Sequence, residues 1–262
     1  MAVPGAYRVH ARNLSLASEN KIHDDDVARR FGFRGGLVPG VEVYAYMTHL
    51  PVARWGIAWL ERGTAECRFL KPVYDGKIAT VSASETGREL ALQVKSEGEV
   101  CATGVAALPD QCGAPPPSSD GEPIPAPENR PDADETTLAV GRRLSAHPME
   151  LTPDSLRRYL ADIGETEALY AREGPAHPAL MLRLSNSALK DNVKLGPWIH
   201  VGSRIRHCGV ARGGEALVAR AQVTANYVRS GHSFVELDVA ILASGVRPVA
   251  QVRHTAIYRL RR

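Results

Sequence analysis

Cysteine is scarce in this chain of 262 residues: there are four, Cys67, Cys101, Cys112 and Cys208, and no two form a C-x-x-C pair. That spacing argues against a zinc ribbon and a thioredoxin-like redox motif. Three of the four sit in strand-like runs as small apolar residues, and Cys112 lies in a proline-rich stretch, where it reads as an exposed bystander. Long apolar runs are missing too; none reaches the roughly eighteen residues that a membrane-spanning helix needs. Residues Met1-Ala2-Val3-Pro4-Gly5 carry neither the basic nor the apolar region of a secretory signal. Reduced thiols and no such signal set the expectation of a cytoplasmic protein with no membrane contact. Nor is there an excess of one charge. Lys and Arg number 32 against 29 Asp and Glu, a net +3, and no basic block stands out, so nucleic acid is not an expected partner.

What the chain has is proline concentrated in one place. Eight of its 18 prolines fall between Pro109 and Pro131, and runs such as Pro115-Pro116-Pro117 cannot enter a helix or a central strand. Residues 111–135 are therefore expected to form an extended linker, flexible within 112–133. It would separate an N-terminal unit, 1–110, from a C-terminal unit, 136–262. A single long loop within one domain is the alternative, and it gives way because both flanks carry the same order of elements.

Before the linker, residues 7–13 read as a strand and the mostly apolar 37–50 as a buried helix stopped by Pro51. Strand-like runs follow at 64–73, 77–86, 89–96 and 100–108, separated by the turn signals Asp75-Gly76, Gly87 and Glu97-Gly98. After the linker, Thr152-Pro153-Asp154 is a helix start. A helix over 154–163 is expected, and another over 178–195 closed by Gly196. Runs at 199–208, 216–227, 234–242 and 249–260 come next, parted by Gly213-Gly214, Ser230-Gly231 and Ser244-Gly245.

The chemistry-bearing stretch is Ser18-Glu19-Asn20-Lys21-Ile22-His23, followed by Gly35-Gly36-Leu37-Val38-Pro39-Gly40. It puts an Asn and a His three residues apart on a polar turn, ahead of a glycine-rich approach to the first helix. His23 is the best base candidate, because imidazole titrates near neutral pH. Asn20 could orient the loop or a water, and equally suits an ordinary turn. Gly40 would offer its backbone N–H and allow close packing. Asp25 is expected to cap a short helix over 27–31. Glu42, Ala45, Tyr46 and His49 share one helix face. Glu42, if buried, needs a partner, and His49 is expected where the helix end emerges into solvent.

This order resembles the active-site segment of MaoC-like, R-specific enoyl-CoA hydratases, whose pattern is D-x-N-P-x-H and then H-G at the head of the central helix. Asn20, His23 and Gly40 match. Ser18 stands at the Asp position, Lys21 at the Pro and Pro39 at the His. The tail adds to the resemblance: residues 229–238 and 254–258 look like the closing strands of MaoC-like double hot-dog proteins. The resemblance implies an α+β double hot-dog, two antiparallel sheets each wrapping a long central helix, and leaves room for a homodimer. It implies an acyl thioester as ligand, on CoA or acyl carrier protein, hydrated or dehydrated without cofactor or metal. Catalytic positions would be His23, Asn20, Ser18 and Gly40; substrate-binding positions would be Glu19, Val38, Pro39, Glu42 and Tyr46. In the family an Asp and a His hold and activate one water, and the N–H at the helix-head glycine binds the thioester oxygen, helped by the helix dipole.

Ser18 cannot serve as a base at neutral pH, though it can hold a water. Glu19, one residue on, could supply the carboxylate instead. Two other functions stay open. One is a non-catalytic thioester-binding or partner subunit, favoured if no carboxylate reaches His23. The other is a hot-dog thioesterase using Glu42 as its acid. In the second half, Glu165-Thr166-Glu167-Ala168-Leu169-Tyr170 takes the motif's place with Tyr170 for the His, and Pro178 falls within a residue or two of Gly40's counterpart. One competent site, in the first half, is expected.

Overall fold

The computed structural model describes residues 5–111 and 124–261. The first half runs β1 (Tyr7–His10), a 3-10 turn (Lys21–His23), α1 (Asp25–Arg30), α2 (Gly40–Trp55), α3 (Ile57–Arg62), β2 (Thr64–Phe69), β3 (Ile78–Thr86), β4 (Glu89–Ser96) and β5 (Glu99–Ala107). The second runs β6 (Arg143–Ser145), β7 (Met149–Glu150), α4 (Pro153–Ile163), α5 (Ala168–Glu173), α6 (Ala179–Lys190), β8 (Ile199–His207), β9 (Ala216–Arg229), β10 (His232–Ala243) and β11 (Arg247–Arg259).

The strand order is β1-β3-β4-β5-β2-β8-β11-β10-β9-β6, with β7 paired to β9, and every named pair is antiparallel. Read outward from the β2–β8 junction, the halves repeat one plan: β5 answers β11, β4 answers β10, β3 answers β9 and β1 answers β6. The expected pair of separate sheets is corrected here. The two join edge to edge at β2–β8 into one 11-stranded sheet, because pairing satisfies two rows of backbone groups that would otherwise be unpaired edges. Glu66 and Arg204, opposite each other across that junction, form an ion pair at 3.0 Å. The hairpins turn where expected. Glu97-Gly98, Ser230-Gly231 and Ser244-Gly245 all hold positive φ at both residues, and for the first two this is the geometry that matches strand twist in two-residue turns.

Helix α2 packs against β1, β3, β4, β5 and β8, and α6 against β6, β9, β10 and β11; the two helices also touch each other. Val41 through Thr48 of α2 are all buried, as an all-round apolar helix requires. Pro51 does not stop it. The helix continues to Trp55 and ends at Gly56, with φ 61°; Leu50, Pro51 and Val52 are all buried, and that packing outweighs the N–H that Pro51 lacks. Helix α6 ends earlier than expected, at Lys190 rather than 195, since the Asn192 side chain donates to the carbonyls of Ala188 and Ser145 and turns the chain away. The strand expected over 64–73 stops at Phe69.

The expected flexible stretch lies outside the described residues at 112–123. Its far end, 130–133, is held by hydrogen bonds. Arg130 donates to both Glu19 carboxylate oxygens and to the Lys190 carbonyl. Lys194 donates to the Pro131 carbonyl at 2.7 Å and accepts from the Ala133 N–H at 3.0 Å.

Candidate active site

Asn20 accepts from the Ile22 N–H and so opens the 3-10 turn that carries His23. Asp24, not Asp25, caps α1 by accepting from the Val27 N–H at 3.0 Å. Asp25 reaches across the loop instead and accepts from the Gly36 N–H at 2.8 Å. Gly36 must be glycine here, for a Cβ would lie 2.2 Å from the His23 carbonyl oxygen. That carbonyl accepts from the Asn13 amide at 2.8 Å. The glycines thus let the approach to α2 pass directly beside the His23 backbone.

His23 is 9% exposed. Its Nδ1 lies 2.6 Å from the Leu37 carbonyl. A carbonyl only accepts, so Nδ1 carries the proton and neutral His23 presents a bare Nε2. The Asn20 amide approaches Nε2 from 3.4 Å. Burial pulls the His23 pKa below its usual value, and the Leu37 bond partly offsets this, so the ring is a neutral acceptor near pH 7. Asn20 is chiefly engaged with the second half: its Nδ2 donates to the Trp198 carbonyl at 3.0 Å and its Oδ1 accepts from the Trp198 N–H at 3.2 Å.

His23 lines two adjoining cavities. One, of about 290 Å³, is lined by His23, Val38, Pro39, Gly40, Phe69 and His200 among others. The other, of about 730 Å³, holds Ser18, Glu19, Arg130 and Arg183 on its walls. Asn20, His23, Pro39, Asn186 and Trp198 line both. Gly40 is the first residue of α2, with Pro39 as its N-cap, so its N–H lacks an intrahelical acceptor and sits at the positive end of the helix. A Cβ at Gly40 would come within 2.9 Å of the Phe69 ring and 3.2 Å of His200 Nδ1.

Several expected site residues lie elsewhere. Glu42 and Tyr46 line neither cavity. Glu42 is fully buried and pairs with Arg183 of α6, while the Tyr46 hydroxyl accepts from the Arg12 N–H at 3.0 Å. Glu19 is 74% exposed and bound by Arg130, which holds its carboxyl below the usual range. The Ser18 hydroxyl donates to the Asn20 carbonyl at 3.3 Å. Among the described residues no carboxylate is paired with His23. His49 is no solvent-facing helix end: its Nδ1 meets Glu165 at 2.7 Å and its ring stacks on Tyr7 at 3.8 Å.

The second half places His177 and Pro178 before α6, with Pro178 as N-cap and Ala179 first in the helix. Ala179, one residue after Pro178, is thus Gly40's counterpart. Its N–H is already used, donating to His177 Nδ1 at 3.2 Å. Tyr170 and Tyr159 pack on the His177 ring, and none of these residues lines either cavity. Sequence reasoning passed over three residues of the first site: Trp198, Asn186 and His200. They come from the second half, and only the β2–β8 pairing and the α2–α6 contact bring them in.

No protein-family model matches the sequence, and no curated protein matches it. Solved structures do. A Chloroflexus aurantiacus J-10-fl protein classed as a MaoC domain dehydratase superposes with a TM-score of 0.64 at 11% identity, over 99% of this chain and 96% of that one. A conserved hypothetical protein from Mycobacterium tuberculosis, described as a double hot-dog, gives 0.63 at 15% over 98% and 96%. A Thermobifida fusca YX protein classed as a thioesterase II gives 0.52 at 18% over 88% and 89%. The repeated helix-and-sheet plan and the full-length superpositions agree: this chain has the double hot-dog fold found in MaoC-like dehydratase structures.

Proposed function

We propose that the protein adds water to, or removes it from, an enoyl thioester at the His23 site. The observation that carries this reading is a buried, neutral His23 whose ring is oriented by the Leu37 carbonyl, leaving Nε2 bare, and which lines the same cavity as the head of α2. His23 would take a proton from water as it attacks the β-carbon. The Gly40 N–H would meet the thioester oxygen as enolate charge builds there. Asn186, which lines both cavities and whose Oδ1 is buried with no partner among the described residues, would accept the water's second hydrogen. That supplies one of the contacts for which Ser18 is a poor substitute. A smaller cavity adjoining a larger one across shared walls suits an acyl chain attached to a long carrier arm.

A second reading is favoured by one observation: no described carboxylate pairs with His23. The site would then bind a thioester without turning it over. The thioesterase reading loses its acid, because Glu42 is committed to Arg183 and lines neither cavity. Hydration of crotonyl-CoA, followed by loss of the enoyl-thioester absorbance, tests the choice. Turnover that falls on the order of 10²-fold or more in His23→Ala supports the hydratase. Wild-type protein that binds butyryl-CoA but leaves crotonyl-CoA unchanged supports the binding subunit. Full activity in His23→Ala removes His23 from the mechanism.

A further inference from the structure

Three polar side chains of the second half form a chain at the back of the first cavity. His200 on β8 is 6% exposed. Its Nε2 lies 2.8 Å from Ser203 Oγ, which lies 3.0 Å from Nδ1 of His254 on β11. A register shift between β8 and β11 leaves Val201 without a partner, and this bulge turns His200 to the same buried face as Ser203. The other His200 nitrogen, Nδ1, is buried with no partner among the described residues. It faces the head of α2, at the place a Cβ on Gly40 would occupy, and His200 lines the cavity together with His23 and Gly40.

Ser203 has one hydroxyl proton and two acceptor lone pairs, and sits between two ring nitrogens; two neutral arrangements spend that proton within the chain. In one, His254 Nδ1–H donates to Ser203, Ser203 donates to His200 Nε2, and His200 carries its proton on Nδ1. In the other every bond is reversed. His254 Nε2 is buried and also has no partner among the described residues. The reversed arrangement would place an N–H there with no acceptor, and a buried donor left unpaired is costly. The first arrangement leaves a bare nitrogen in the core and puts the unpaired N–H against the head of α2, beside the cavity that His200 and Gly40 line, where a ligand oxygen can accept it. Burial, then the neighbouring His254, hold His200 well below the usual imidazole range, against the raising effect of the Gly202 backbone, so the ring is neutral rather than a cation.

We propose that His200 Nδ1–H is a second hydrogen-bond donor to the thioester oxygen, beside the Gly40 N–H, with its tautomer set by Ser203 and His254. This rests on the enoyl-thioester reading above. In that reaction one O–H bond of water breaks as His23 Nε2 takes the proton, and the C–O bond forms at the β-carbon. The pair of the C=C bond shifts to give an enolate on the thioester oxygen. The enolate collapses as the α-carbon takes the proton back from His23, so one water is added and nothing else is consumed. His200 keeps its proton throughout and stabilises charge. The first half's site is then composite, with base and helix head from one half and a donor from the other.

The experiment pairs kinetics with tautomer assignment. His200→Leu keeps bulk and removes the donor; His200→Asn keeps an amide N–H near the position of Nδ1. In crotonyl-CoA hydration, His200→Leu should lower kcat on the order of 10²-fold, the scale of one lost oxyanion donor, with a smaller change in KM. His200→Asn should recover part of that, and Ser203→Ala should fall between. Two-bond 1H–15N correlation spectra of the wild type read the tautomer independently of activity. The Nδ1–H form is expected, with a shift on adding butyryl-CoA. A bare Nδ1 overturns the proposal whatever the rates, and so does wild-type kcat in His200→Leu. If His200→Leu does not fold, the Asn variant and the tautomer decide. An active wild type with an unaffected His200→Leu overturns this proposal alone. A wild type that neither hydrates crotonyl-CoA nor binds butyryl-CoA overturns the enoyl-thioester reading and this proposal with it.

Discussion

In the proposed reaction the chemistry turns on His23, and its competence depends on which nitrogen is bare. The Leu37 carbonyl fixes the proton on Nδ1, and burial lowers the pKa below 6.5. A base must be unprotonated, so hydration should hold its rate as pH falls to 6.5 and decline only below that. A rate profile of kcat/KM against pH checks this; an acid limb centred above pH 7 would contradict it. Glu19 is exposed and held by Arg130, so Glu19→Gln should leave the rate within about twofold, as for most surface changes remote from chemistry. Ser18→Asp should instead raise hydration about tenfold or more by restoring a carboxylate to the loop that carries the base. Parallel assays of these variants separate the two positions. His23, Asn20 and Gly40 were legible in the sequence because they lie close together along one loop and helix start. His200 and Asn186 were not. They reach the site through a sheet junction and a helix contact that no local spacing encodes.

Among the elements, α2 and α6 hold the halves in register. Their contact includes a fully buried Glu42 facing Arg183, whose guanidinium also sits over the Tyr159 ring at 4.9 Å. Burial drives the Glu42 pKa up, and the Arg183 charge and hydrogen bond only partly offset it. Arg183→Met would leave that carboxyl unpaired in the core and should destabilise the protein by about 3 kcal/mol, the low end for breaking a buried pair. Adding Glu42→Leu should restore most of it, since two apolar side chains need no partner. Urea unfolding of the single and double variants checks this; equal losses in both would contradict it. The strands and hairpins were readable because their turn pairs, such as Ser230-Gly231, demand positive φ. Helix ends were read less well. Tertiary packing carries α2 through Pro51, and the Asn192 side chain closes α6 early.

For the molecule as a whole, the sequence repeat implied two hot-dog halves, and the sheet order realises the repeat as one continuous sheet. The join brings ionisable groups into the core. Burial lowers the pKa of His207 to about 4 and of His254 to about 3, and also lowers those of His23, His177 and His200. Unfolded imidazoles bind protons near 6.5, before the folded ones do, so stability should be flat above that pH and fall as pH drops toward 4. Glu165 adds to the loss below 4.5. Burial pushes its pKa up, but hydrogen bonds from His177 and His49 together hold it below the usual range. Tm measured from pH 8 to 4 should show the break, and His254→Phe should soften it; a Tm unchanged between pH 7 and 4.5 would contradict it. The account's central claim is a single thioester site, built on the first half's loop and completed by the second half. Backbone and imidazole chemical shifts recorded while butyryl-CoA is titrated in test it most directly. The account predicts saturable shifts at Asn20, His23, Gly40 and His200, with His177 and Ala179 unmoved. Shifts centred on His177 and Ala179, or no saturable shift at His23 and Gly40, would contradict it.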